Sequence, residues 1–419
     1  MKPPSPPSPM PAAAPSSRRL KVLVLSRNYP NSVMPLLGLW IEQWTRFLSG
    51  LCDIRVVAPV PYCPPVPAAW EISRFRRVPP FEVFNGIPVS HPRFLSGPGY
   101  LLHRFESRLW LASLTAHFDR LQREFPFDVI HAHFSYPDGV VAAELARRYG
   151  VPFIITEHAR WRPWMDQYPS VQRLAVRASR SAAFHTAVSR FVRDQIREFT
   201  GESDRLSVTP LGVDGSLFVL PAPGEQRDPD QILYVGRLHM VKGVDVLLRA
   251  MALLVQRRPA TRLLLVGGNF YSHTSGEVAH MHQLAIDLKL QDHVEFAGTK
   301  TPAEVAGCMR RSAVVVLPSR SETFGAVLVE ALACGTPVVA TRCGGPEDIV
   351  TDELGCLVAK EDPEALGRAL EGILGQPDKF PAARLREIAL HRFAWESVAR
   401  KTLDLYGQAV DASPRAGTI

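Results

Sequence analysis

Two glutamates eight residues apart, Glu322 and Glu330, bracket a Phe-Gly turn and an apolar run in the stretch Pro318-Ser-Arg-Ser-Glu322-Thr-Phe-Gly325-Ala-Val-Leu-Val-Glu330-Ala-Leu-Ala-Cys-Gly335-Thr-Pro337. The first precedes a helix and the second lies inside it, so both carboxylates can face one cleft beside the helix N-terminus. That terminus offers free backbone N–H groups and the positive end of a dipole, which suit phosphate. Carboxylates suit hydroxyls. The layout therefore fits a polyhydroxylated, phosphate-bearing ligand. The spacing alone equally describes a surface Glu ahead of an ordinary amphipathic helix.

A second loop supplies cations. Gly236-Arg237-Leu-His-Met-Val-Lys242-Gly243 follows an apolar run and opens a helical one. Arg237 and Lys242 can hold the two phosphates of a nucleotide diphosphate, Arg by its planar fork and Lys as a point charge. The bland alternative is a solvated basic loop. No Asp-x-Asp motif stands where it would place a metal, so these cations are expected to do a metal's work, without metal or other cofactor.

The elements that must position these residues alternate along the chain. Lys21-Val-Leu-Val-Leu-Ser26, residues 54–59, 129–133 and 152–156 read as buried strands. Helical stretches at 40–48, 109–125, 140–149 and 171–181 lie among them. Turn formers and charges at 219–230 read as a linker. The alternation restarts with strands at 232–236, 262–267, 294–298, 313–318 and 337–340, and helices at 243–256, 277–289, 302–310, 325–334 and 363–374. This predicts an α/β chain of two Rossmann-like, doubly wound parallel-sheet domains, whose ligands bind at the carboxyl ends of strands. The expected organisation is a Pro-rich tail at 1–18, a first domain at 19–218, the linker, a second domain at 231–392, a helix at 393–410 and a tail at 411–419.

The Glu-x7-Glu segment, with Pro-Ser before it and Gly-Thr-Pro-Val-Val-Ala after it, closely resembles the donor-site signature of glycosyltransferase family 4, retaining enzymes of the two-lobed GT-B fold. Gly-Arg followed by Lys-Gly at 236–243 matches the same family, and the resemblance runs from about residue 19 to 408. It implies that Arg237 and Lys242 bind the diphosphate of a UDP- or GDP-linked sugar and stabilise the leaving group. It assigns Glu330 to the ribose hydroxyls and Glu322 to the sugar. It brings the backbone around Gly236, Thr323, Phe324 and Gly325 to the sugar or phosphate. Gly38 stands in the first lobe's glycine loop, where many members have Gly-Gly and this chain has Leu37-Gly38. His158, in Thr156-Glu157-His158, matches a His beside the reacting sugar; the alternative is a buried structural His. Gly344-Gly345-Pro346-Glu347 resembles the family's Gly-Gly-x-x-Glu loop, or is an ordinary turn. The resemblance also implies a final helix that crosses back to the first lobe. No enzyme nucleophile stands out, which favours front-face displacement.

Acceptor residues are read from the looser first half. Arg27 either meets an acceptor phosphate or is a surface charge. Arg160-Trp161-Arg162-Pro163-Trp164, just after His158, offers aromatic faces to a sugar. His131-Ala-His133 is taken as structural or acceptor-lining rather than a metal pair, on the expectation that the two imidazoles point to opposite faces. Residues 1–200 carry 25 Lys and Arg against 14 Asp and Glu, while residues 201–419 carry 23 against 27. A basic first half suits an anionic acceptor, such as a glycan or lipid-linked intermediate of cell-surface polysaccharide or teichuronic-type synthesis, or an anionic membrane surface. No nucleic-acid motif accompanies the charge. Basic and aromatic residues interleave from Trp70 through Phe94 and Tyr100 to Trp110, as a membrane-interface segment or as a packed loop and helix. No apolar run approaches the ~20 residues of a membrane span. The six Cys lack Cys-x-x-Cys spacing and read as reduced core residues of a cytoplasmic protein, with peripheral contact at the inner membrane face left open. Rival readings are a sugar-nucleotide epimerase, a glycogen-type synthase on the same fold, and a non-catalytic nucleotide-binding scaffold.

Overall fold

Val22, Leu23, Val24 and Leu25 are all completely buried, two on each face of their strand. A strand apolar on both faces belongs in the middle of a parallel sheet covered by helices on either side. A computed structural model of the chain describes residues 18–66, 71–96, 102–161, 164–268 and 275–413. Trp70, Tyr100, Arg162, Pro163 and the stretches 1–17 and 414–419, all noted above, lie outside the described residues, as does the side chain of Trp164.

The first lobe contains β1 (Lys21–Leu25), β2 (Asp53–Val57), β3 (Val60–Pro61), β4 (Phe81–Phe84), β5 (Ile87–Ser90), β6 (Arg93–Phe94), β7 (Val129–His133), β8 (Phe153–Glu157), β9 (Phe184–Ala187) and β10 (Leu206–Val208). Its helices are α1 (Leu39–Ser49), α2 (Glu106–Glu124), α3 (Val140–Tyr149), α4 (Trp164–Gln167), α5 (Pro169–Ser181) and α6 (Arg190–Thr200). The main sheet runs β10-β9-β8-β7-β1-β2-β5-β4, parallel throughout except for the β4–β5 hairpin. Strand order reverses between β1 and β7; the loop leaving β1 carries Arg27 and Gly38, and β7 ends on His133 with Phe134 following.

The second lobe contains β11 (Asp228–Val235), β12 (Arg262–Val266), β13 (Val294–Gly298), β14 (Ser312–Leu317), β15 (Val338–Thr341) and β16 (Gly355–Val358). Among them run α7 (Val244–Arg257), α8 (Ser275–Asp287), α9 (Pro302–Arg311), α10 (Ala326–Ala333) and α11 (Pro363–Leu374), followed by α12 (Ala382–Phe393) and α13 (Trp395–Asp411). The sheet order β13-β12-β11-β14-β15-β16 is the dinucleotide-binding order, reversing between β11 and β14. The Gly236–Gly243 loop leaves β11 and the Glu322 loop leaves β14, so the two loops meet at the crevice where such sheets bind ligands.

The fold is thus the two-lobed α/β architecture read from the sequence, with local differences. Residues 228–230, assigned to the linker, already belong to β11, with Asp228 paired to Ser312. Phe393 ends α12, and a separate helix begins at Trp395. That helix, α13, docks on the first lobe. Tyr406 reaches His131 at 2.6 Å, Trp44 Nε1 donates to Thr402 Oγ1 at 3.2 Å, and Trp395 packs against Trp44 and Phe47. Among the described residues no helix is long and apolar enough to cross a membrane. Phe94 and Trp110, offered to a membrane by the sequence, are instead packed together in the core beneath α2. Phe81, Val83, Leu95 and Phe105 of the same region are exposed.

Candidate active site

The second-lobe loops are drawn together by close backbone packing. Gly243 caps α7 at φ 68°, and a Cβ there would stand 2.0 Å from the Pro318 carbonyl oxygen. Only glycine lets the cation loop lie so near the strand end before Glu322. The buried Tyr234 hydroxyl donates to the Arg237 carbonyl at 2.7 Å and supports the loop from below. The Lys242 ammonium pairs with the Glu322 carboxylate, and both side chains are mostly shielded from water. Arg237 is exposed and its guanidinium makes no ion pair among the described residues.

Arg320, two residues before Glu322, ties the loops into one body. Its guanidinium takes both Asp245 oxygens, at 2.7 and 2.8 Å, donates to the Met240 carbonyl at 2.5 Å and reaches Glu361 at 3.0 Å. Its backbone N–H donates to Val241 O at 2.9 Å. Burial pushes the Asp245 carboxyl up, but the hydrogen bonds and charge of Arg320 prevail and hold it below the usual range. Sequence reading missed this clamp, because Arg320 and Asp245 are 75 residues apart and nothing local pairs them.

Glu322 is also pinned by its backbone. It forms an isolated parallel bridge with Gly344, and its carbonyl accepts from Gly345 N at 2.8 Å. Thr323 N donates to the Glu322 carboxylate at 3.2 Å. The Phe324 ring turns into the core against Phe393, so only its backbone is available to a ligand. Gly325 caps α10, and Glu330 sits one turn inside it. Glu330 is half-buried as a residue, but its carboxyl is enclosed by protein atoms, and this desolvation raises its pKa to about 7. No hydrogen bond to that carboxyl is formed within the described residues.

The first-lobe wall is a column of neutral imidazoles. His131 bonds Tyr406 through Nδ1 and Thr156 Oγ1 through Nε2, the latter at 2.8 Å. His133 Nδ1 lies 2.9 Å from His158 Nε2. Trp44 packs edge-on against all three rings. Desolvation depresses His131 and His158 to about 3 and His133 well below its ordinary value, with neighbouring imidazoles adding to the shifts of His133 and His158. His158 Nδ1 is buried with no hydrogen-bond partner among the described residues. Glu157, fully enclosed and with its pKa raised by burial, orders the loop around it. It accepts from Ser135 N and Oγ, from the N–H groups of His158 and Ala159, and from Trp161 Nε1.

Three sequence readings are corrected here. His131 and His133 do not diverge: residues two apart on a strand share a face, and the rings stack with centroids 4.3 Å apart. Trp161 cannot offer its face to a sugar, being 1% exposed and packed against His185 and Phe199. Arg27 is not a free surface charge; it pairs with the buried Glu106, and its backbone N–H is held by Asp138. Gly38 lies in that same loop, where a Cβ would stand 1.8 Å from Asn28 O. Arg160 is exposed and lines a cavity between the lobes. Among the described residues no group of three or more His, Cys, Asp or Glu is arranged to hold a metal ion.

Two Rossmann-like lobes with facing crevices and a last helix returning to the first lobe define the GT-B class of glycosyltransferases. Residues 40–217 match Glycosyltransferase Family 4, and residues 220–390 match the glycosyl transferases group 1 family. The chain is 34% identical over 365 residues to the D-inositol 3-phosphate glycosyltransferase of Frankia alni, covering 81% of this chain and 88% of that one. It is 31% identical to the protein of the same name from Pseudarthrobacter chlorophenolicus, over 77% of this chain and 83% of that one. Sucrose-phosphate synthase from Thermosynechococcus elongatus superposes with a TM-score of 0.76 at 22% identity, covering 94% of this chain and all of that one. Anabaena HepE in complex with UDP superposes at 0.72 and 21% identity, covering 93% and 100%. The chain belongs to the glycosyltransferases that join a family 4 domain to a group 1 domain. The curated relatives carry the name of an inositol phosphate enzyme, not of the polysaccharide or teichuronic type that the sequence reading expected.

Proposed function

We propose that this enzyme moves a sugar, with retention, from a nucleotide-diphosphate sugar to the hydroxyl of an anionic acceptor. The observation that carries the reading is the contact between Lys242 and Glu322 at the second lobe's switch point, across 80 residues of sequence. In this reading Arg237 and Lys242 take the diphosphate and stabilise the charge that develops as it leaves. Glu330 accepts from the ribose hydroxyls, and Glu322 from the sugar. His158 stands on the first-lobe side of the sugar; at neutral pH it is an uncharged imidazole, not a cationic acid. The acceptor hydroxyl approaches on the face the diphosphate leaves and passes its proton to a departing phosphate oxygen. No enzyme nucleophile and no metal take part. UDP and GDP are the candidate nucleotides; UDP has support from the ligand in HepE. A phosphorylated polyol acceptor has support from the relatives' names, and the basic first half of the chain agrees with it.

The test is a panel of UDP- and GDP-sugars, with nucleotide release and transfer to inositol 3-phosphate as readouts. Lys242→Ala and Glu322→Ala should each lower transfer by about a hundredfold or more while circular dichroism stays native. Near-normal transfer in either variant refutes the site.

A further inference from the structure

At one end of the inter-lobe cleft lies a cavity of about 660 Å³ walled by both lobes. The first lobe brings Arg160, Arg190 and Arg193 to it, and the second brings Arg320, Arg342 and Lys360. Three of these six cations are already matched. Arg190 binds Asp348 across the lobes through its backbone N–H and its Nε, both at 2.6 Å. Arg193 pairs with Asp194, and Arg320 with Asp245. The remaining acid in the wall, Glu347, is occupied by the N–H groups of Cys343 and Gly344. Arg160, Arg342 and Lys360 are exposed, and their side chains have no hydrogen bond or ion pair among the described residues. The wall carries six cations against Asp194, Glu347 and Asp348, a net of three positive charges, with donors converging from two lobes.

Its position gives the excess a meaning. Arg160 stands two residues after His158, and Ser321, also in the wall, immediately precedes Glu322. The wall therefore holds, from each lobe, a near neighbour in sequence of a residue of the proposed reaction centre. Arg237, Lys242 and Glu330 take no part in its wall, so it is a second anion site and not the seat of the donor diphosphate. Two guanidinium forks and an ammonium suit a tetrahedral oxyanion better than a planar carboxylate, because they can meet separate oxygens. We propose that this cavity receives a phosphate group of the acceptor, held by Arg160, Arg342 and Lys360, with the acceptor hydroxyl thereby turned toward the sugar. The inference rests on the transfer reading above. The phosphate can belong to a soluble polyol or to a lipid carrier, and the two are separable.

The full-length protein is saturated with UDP or GDP, whichever binds, so that the donor site is filled. It is then titrated calorimetrically with inositol 3-phosphate and, in a second arm, sedimented with phosphatidylglycerol vesicles. Binding in the first arm supports the proposal with a soluble acceptor; binding in the vesicle arm alone supports it with a lipid-borne phosphate. In either case the double variant Arg342→Ser/Lys360→Ser should weaken that binding at least tenfold, while nucleotide affinity, which reports the fold, stays unchanged. Equal binding by the double variant, or no binding in either arm, overturns the proposal. Failure to bind either nucleotide refutes the donor reading instead, and the phosphate titration on the same sample then still decides the cavity.

Discussion

Replacing Arg320 with Leu removes one side chain that touches three segments, and the cost follows from what it leaves behind. Asp245 is 9% exposed and loses both partners of its carboxylate at once. Breaking a buried pair from one side costs about 3–5 kcal/mol. The Arg320 side chain is 25% exposed, so water recovers part of that, and about 2–3 kcal/mol is expected. The Glu361 contact adds little, because that glutamate side chain is 59% exposed. With Arg320 gone, burial raises the Asp245 pKa against only the backbone N–H groups of Asp245 and Val246, so the carboxyl takes a proton more readily than in the intact clamp. The stability lost in the variant should therefore shrink as pH falls and Asp245 is protonated. Asp245→Asn in the Arg320→Leu background should recover the loss in the same way, since a neutral amide avoids the stranded charge. The double-mutant cycle should show coupling of about 1.5–3 kcal/mol in urea melts. Nucleotide affinity should drop as well, by about tenfold, because the Met240 tether beside Lys242 is cut and one charged hydrogen bond is worth about 1.5–3 kcal/mol. Additive single effects, or an unchanged nucleotide affinity, would refute the claim that Arg320 positions the cation loop.

Further outcomes follow from the buried titratable groups. Glu330 must ionise to accept from ribose, and its pKa is raised to about 7, so nucleotide affinity should climb as pH rises from 5.5 and level off above 7. Isothermal titration on Glu330→Gln should give a flat profile, and a wild-type profile already flat across that range would sink the assignment. His131, His158 and His185 sit near 3 in the fold but take protons at about 6.5 when unfolded. Their contribution is therefore present above pH 6.5 and lost as pH falls toward 3, at up to about 1.4 kcal/mol per pH unit for each histidine. Glu330 has the opposite sign between its unfolded value and about 7, so replacing it with Gln should steepen the acid loss seen in urea melts. EDTA should leave the transfer rate unchanged; strong inhibition reversed by a divalent cation would overturn metal-independent transfer.

The parts of the fold that the sequence made legible are those whose burial is apolar on both faces. β1, β12, β14 and β15 are short runs dominated by Val, Leu and Ala, and β7 and β8 open with the same signal in Val129-Ile130 and Phe153-Ile154-Ile155. β9 escaped because its buried residues are polar: His185 bonds Ser179 at 2.6 Å and Thr186 bonds Thr156 at 2.8 Å, and polar atoms so matched leave no hydropathy signal. The β4–β5 hairpin escaped because Phe81 and Val83 face outward on the sheet edge. At the site, the placing of Lys242 and Glu322 at one crevice was legible because each lies in a loop with its own local motif. The Arg320 clamp, the Glu157 hub and the burial of Trp161 were not, because each depends on which distant segment lies opposite. Trp161 shows the risk: an aromatic next to a reactive His resembles a sugar platform, yet its indole N–H is spent on Glu157 and its faces on the core.

The Lys242–Glu322 pair bears on why donor binding and catalysis are coupled in the proposed reaction. Both side chains are shielded enough that leaving either charge alone would be costly, and each supplies the other's counter-charge. A nucleotide-diphosphate sugar brings the two groups separate partners: phosphate oxygens for the ammonium and hydroxyl donors for the carboxylate. A ligand offering only one would draw one member away and strand the other, so nucleotide alone, without its sugar, should gain less from Lys242 than the whole donor does. Arg237, exposed and unmatched, is under no such constraint and can attract any diphosphate. Lys242→Ala should therefore weaken the intact nucleotide sugar more than free nucleotide diphosphate, while Arg237→Ala weakens both alike. Equal losses for the two ligands in the Lys242 variant would show that the carboxylate neighbour plays no part in selecting the donor.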